Sequence, residues 1–133
     1  FDIYSKEISS QNNIHYYGFI DISSKKFRSI VTKCGFTLFP SCSEGMSGSL
    51  LTTMSTGLLP IATLESGVDI DENFGFLIEG NISSIKNKIN EVSKINEKLL
   101  SEKSNLLIKY IDFNFKEETF YNSVKNSLTK IIK

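Results

Sequence analysis

An excess of charge of either sign is missing from this sequence: Lys plus Arg number 15 and Asp plus Glu number 15, so the formal net charge at neutral pH is zero. No net field therefore steers the chain toward nucleic acid or an anionic membrane, and a small, locally recognised ligand is the better expectation. Cysteine is scarce, with only Cys34 and Cys42. Their spacing fits neither a metal site nor the paired framework of small secreted domains, which points to a reducing compartment. The single histidine, His15, stands beside Tyr16 and Tyr17 with no acid or nucleophile near it in sequence, so packing is its expected role. Long hydrophobic runs are also absent. Nothing approaches the roughly 20 apolar residues that span a bilayer, and no charged-then-apolar leader opens the chain. A soluble cytoplasmic protein is expected, at most resting on the inner face of a membrane.

What is present is one domain's worth of chain, 133 residues, enough to bury a core without disulfide or metal staples. The chain opens on Phe1 without a methionine, and the expectation is a fragment. Residues 1–4 and 14–20 read as strands around a polar turn. Ser23 and Ser24 are cap candidates for a helix in which Phe27, Ile30, Val31 and Cys34 recur at helical spacing, with Gly35 at its left-handed end. Residues 36–39 form a short apolar run closed by Pro40, as expected of a buried strand. A loop over 41–48, a short helix over 49–56 stopped by Gly57, an apolar run over 60–64 and a strand over 74–78 follow. Beyond Gly80 the pattern is helical: Ile82, Ile85, Ile89, Val92, Ile95 and Leu99 keep one face apolar, continued by Leu106, Leu107, Tyr110 and Ile111. A last helix is expected after Asn114, with Glu117 completing a capping-box-like pair and Phe120, Val124, Leu128 and Ile131 buried.

Alternation of strand and helix argues for the α/β class, a parallel sheet flanked by helices, because parallel neighbours need crossover connections. Ligands of such sheets sit beyond the carboxyl ends of the strands, so the informative loops are 41–48 and 65–73. The first, Pro40-Ser41-Cys42-Ser43-Glu44-Gly45-Met46-Ser47-Gly48-Ser49, is rich in small residues and leads into a helix. Backbone can approach a ligand there, and the free N–H groups and positive dipole end of the helix suit a phosphate or diphosphate. Glu44 would repel phosphates unless it reaches past them to hydroxyl groups, which a carboxylate accepts well. A polyhydroxylated group joined to a diphosphate meets both demands.

The run Pro40-Ser41-x-x-Glu44-Gly45, then Met54-x-x-Gly57, Leu59-Pro60-Ile61-Ala62-Thr63, Gly67 and Asn73-x-Gly75-Phe76-Leu77-Ile78, resembles the C-terminal domain of group 1 glycosyltransferases over roughly residues 17–80. The resemblance implies a GT-B architecture, two Rossmann-like domains across a cleft. Residues 1–133 would then be a truncated donor-binding domain, with 81–133 its helical C-terminal part. It implies a nucleotide diphosphate-sugar as donor substrate, a glycan or lipid-linked saccharide as acceptor, retention of configuration, the missing N-terminal domain as partner, and no metal cofactor. Glu44 would contact the donor sugar as the catalytic-site carboxylate, with Gly45, Met46, Ser47, Gly48, Ser49, Thr52, Ser66 and Gly67 lining the donor. The sequence departs from the family where a second glutamate, eight positions after the first, grips the ribose: that position is Thr52. The alternative is a sugar-nucleotide-binding module without turnover. A doubly wound regulatory domain would need an acidic phospho-acceptor pocket at the strand ends, which the sequence does not offer.

Other residues have blander readings. Asp69-Ile70-Asp71 copies a metal-holding pattern of another glycosyltransferase fold, yet Glu72 beside it suits a solvated acidic turn. Cys42 lies close to a helix N-terminus, a place that suits a nucleophilic thiol, but it has no histidine partner. Glu65 lies in the second ligand-facing loop or in a plain turn. The lysines between 86 and 103 alternate with Glu and Asn as a solvated helix face does.

Overall fold

The computed structural model describes residues 2–132, with side chains from Ile3 onward. They form two compact units, one running to Thr32 and the other beginning at Lys33.

The first unit contains no strand among its described residues. A 3₁₀ turn at Asp2–Tyr4 leads into α1, Ser5–Ser9, where sequence reasoning expects a strand; Phe1 lies outside the described residues. Residues 14–20 are irregular, with Tyr16 and Phe19 exposed, so the second expected strand is also absent. The physical reason is shared: a strand needs a partner for its ladder, and among the described residues no strand pairs with these segments. Local bonds serve instead, such as Ser10 N–H donating to Lys6 C=O. The expected helix is present as α2, Lys25–Val31. Ser24 Oγ accepts from Phe27 N–H, and Asp21 Oδ1 accepts from both the backbone and the hydroxyl of Ser23, bonds that hold the Asp21 carboxyl below its ordinary range. α2 stops at Thr32 in a right-handed conformation, so Gly35 is not its left-handed cap.

The second unit is α/β. Three parallel strands, β1 (Phe36–Phe39), β2 (Leu59–Thr63) and β3 (Phe76–Ile78), lie in the order β1-β2-β3, pairing Phe36 with Leu59 and Ile61 with Phe76. β2 is buried along its whole length, as a central strand covered on both faces must be. Pro60 is tolerated there because the β2–β3 ladder begins only at Ile61. α3 (Gly48–Ser55) connects β1 to β2, and α4 (Ile82–Val92), α5 (Glu97–Asn114) and α6 (Glu117–Ile131) follow β3. Ile61 and Ala62 point to opposite faces and belong to different clusters. Ile61 packs with Ile78 of β3 and Val92 of α4, while Ala62 packs with Leu50 and Met54 of α3 and Leu107 of α5. Gly35 lies close under that second layer, where a Cβ would come to 3.1 Å from a Leu100 methyl group.

The helical tail departs from expectation twice. The apolar period runs through residues 82–111, but the chain breaks after Val92, and Asn96 caps α5 by accepting from Leu99 N–H. α6 has Lys116 at its N-cap with no side-chain cap bond, so no capping box forms. Its apolar residues are not buried: Phe120, Val124, Leu128 and Ile131 are all exposed, Ile131 to 78%. Among the described residues no helix is long and apolar enough to cross a membrane.

Candidate functional site

Because β1 and β2 are parallel, the loops that follow them emerge at the same end of the sheet. Each is tied to the other by main chain. Glu44 N–H donates to Glu65 C=O at 2.9 Å, and Ser47 N–H donates to Ser66 C=O at 3.2 Å. At the base, the Thr63 hydroxyl, fully buried at the end of β2, donates to Ser41 C=O. The 3₁₀ turn Leu64–Ser66 ends at Gly67 with φ 69°, a left-handed conformation that glycine adopts without strain. Gly67 lies directly against the Gly45 peptide, for a Cβ built on it would overlap the Gly45 carbonyl oxygen and fall 2.7 Å from its carbon.

α3 rises out of this pair of loops. Ser47 is its N-cap, accepting from Leu50 N–H through Oγ, and Gly57 ends the α3 turn with φ 88° and its carbonyl held by the Ser104 hydroxyl. Glu44, Gly45, Met46, Gly48 and Ser49 are exposed at the strand ends. Of the first-turn N–H groups of α3, that of Leu50 is taken by Ser47 Oγ, and the other two belong to the exposed Gly48 and Ser49, where an anion can approach a helix N-terminus. Ser41 Oγ donates to Glu44 Oε1 at 3.4 Å, a long bond that leaves most of the carboxylate's accepting capacity open.

Not every predicted residue is equally placed to meet a ligand. Ser47 and Ser66 are buried, and the Ser66 hydroxyl oxygen accepts from Val68 N–H. Gly67 N–H donates to Leu64 C=O, so these groups are engaged within their own turn while the Ser66 carbonyl ties it to the Glu44 loop. Thr52 is half-buried on α3, and its hydroxyl donates to Gly48 C=O at 2.8 Å. Cys42 is an exposed free thiol.

No protein-family model matches the chain, and no curated protein does either.

The acidic stretch after Gly67 has a structural role. Asp71 Oδ1 accepts from Asn73 N–H, and its carbonyl accepts from Phe74 and Gly75 N–H, which closes a turn. Lys103 of α5 clamps that turn by donating to the carbonyls of Glu72 and Asn73, each at 2.9 Å. Tyr110 stacks on Phe74 at 4.7 Å, and burial, followed by Asp69 and Asp71, raises its phenol above the ordinary value. Among the described residues no group of three or more metal-type ligands comes together. An open hollow of 690 Å³ lies beyond β3, lined by Leu77, Glu79, Asn81, Ser84, Lys88 and Glu91. Lys88 is committed there to Glu91 at 2.7 Å.

Sequence reasoning missed Thr63 and the Glu65 carbonyl. Thr63 left a faint signal, a polar residue ending an apolar strand. The carbonyl left none, because every residue has one.

Proposed function

We propose that the unit from Lys33 onward binds a nucleotide diphosphate-sugar as the donor domain of a GT-B glycosyltransferase. The observation that carries the reading is the joint presentation, at one end of a parallel sheet, of the exposed Glu44 carboxylate and the N-terminus of α3. A helix N-terminus favours the negative diphosphate and stabilises it as a leaving group, while a carboxylate a few residues earlier favours sugar hydroxyls. A ligand bearing only one of these groups would leave the other element without purpose. The acceptor and the opposite wall of the cleft belong, in this reading, to another domain, and retention of configuration follows from the family resemblance.

The non-catalytic alternative draws on one specific observation. Thr52, where a ribose-gripping glutamate is expected, has its hydroxyl proton committed to Gly48 C=O.

Titration calorimetry of Glu44→Gln against UDP-glucose, GDP-mannose and ADP-glucose, each beside its free diphosphate, tests the assignment. One charged-acceptor bond to a hydroxyl contributes about 1.5–3 kcal/mol, so the sugar nucleotide should bind at least about tenfold more weakly. The free diphosphate should bind as before. Equal loss for both ligands removes Glu44 from the sugar site.

A further inference from the structure

We infer that the turn ending at Gly67 is the positioning element of the Glu44 loop, with Gly67 itself its sterically indispensable residue. The inference rests on the donor-site reading for the identity of the ligand and on the geometry alone for the mechanics.

Three contacts carry it. Thr63 holds Ser41 at the base of the loop, Glu65 C=O holds Glu44 N–H, and Ser66 C=O holds Ser47 N–H at the start of α3. The bonds occur in the same order along both segments, 63 to 41, 65 to 44 and 66 to 47, so one segment is a template for the other. Gly67 closes the template. Its φ of 69° turns the chain, and the space a side chain would fill is taken by the Gly45 peptide and, at 3.1 Å, by Glu44 C=O. These are backbone atoms, which cannot swing aside as the end of a side chain can. Gly45, by contrast, has nothing within 4 Å of its own Cβ direction, so the constraint acts from Gly67 on Gly45 and not the reverse.

A template of this kind fixes the Cα of Glu44 without touching its carboxylate. Gly67 is therefore a positioning residue: it acts on the ligand through the place it gives Glu44. Loss of the contact should let the loop drift off the turn while α3 and β2, buried independently in the core, remain.

Amide hydrogen exchange on the whole chain reads the mechanics without a ligand. In Gly67→Ala the Glu44 and Ser47 amides should exchange about tenfold faster or more relative to Ile61 in β2. Gly57→Ala is the control. It imposes the same left-handed penalty, with Ser104 in the way of its Cβ, at the far end of α3, and should leave those two amides unchanged relative to Ile61. Thr63→Val, which keeps the shape and removes the hydroxyl, covers the case in which Gly67→Ala does not fold, and should speed Glu44 exchange several-fold. In parallel, Gly67→Ala should lose about tenfold in affinity for UDP-glucose or GDP-mannose and clearly less for UDP or GDP, a split that general destabilisation does not produce. Unchanged Glu44 exchange in both Gly67→Ala and Thr63→Val, or equal acceleration in Gly57→Ala, overturns the inference. Wild-type chain that binds none of these nucleotides overturns the donor reading instead, and the exchange result still decides the template.

Discussion

Thr52 shows how much one side chain can set. A glutamate at that position could accept two charge-assisted bonds from ribose hydroxyls, whereas the threonine spends its only proton on Gly48 C=O at 2.8 Å. Donor affinity should therefore be about 1–3 kcal/mol below that of an otherwise equal site with glutamate. Thr52→Glu is expected to tighten nucleoside diphosphate binding, and Thr52→Val to leave it unchanged, both by calorimetry. No gain in Thr52→Glu would mean that α3 does not read the ribose. Weakening in Thr52→Val would mean that the hydroxyl reaches the ligand despite its helical bond. Glu44 is simpler: it is exposed, its carboxylate receives one long bond from Ser41, and its main chain is held by Glu65 C=O.

At the scale of elements, the parts nearest the site were the most legible. β1, α3 and β2 lie within about a residue of where the sequence puts them, because their signals are local: Pro40 after an apolar run, Gly57 as a helix stop and Pro60 opening the next apolar run. β3 is shorter than expected, since Phe74 and Gly75 bond back to Asp71 instead of joining the ladder. The helical tail was legible as helix but not as to where it packs. Leu107 of α5 is fully buried beneath α3, while Leu128 of α6 is 53% exposed, although both sit on comparable apolar stripes. Urea unfolding should separate them: Leu107→Ala should cost about 2–5 kcal/mol and Leu128→Ala less than about 0.5 kcal/mol. Comparable losses would show that α6 buries its apolar face after all.

For the whole molecule, the donor reading has a consequence for activity. The residues brought together at the ends of β1 and β2 supply the Glu44 carboxylate and a helix N-terminus, and in the donor reading the acceptor is bound by another domain. The purified 133-residue chain is expected to release no UDP or GDP from UDP-glucose or GDP-mannose, with or without acceptor saccharides. Turnover by that chain would contradict the two-domain reading. The sequence by itself determined the α/β class, the strand–loop–helix unit around Glu44 and the helical character of most of the described chain after Gly80, because caps, stops and apolar periods act between residues a few positions apart. Only the tertiary structure decided that residues 14–20 find no strand partner, that α6 lies exposed, and that the turn ending at Gly67 grips the Glu44 loop. Those outcomes depend on which backbone groups meet across some 20 residues of chain, and a main-chain N–H or C=O looks the same in every residue that could have supplied it.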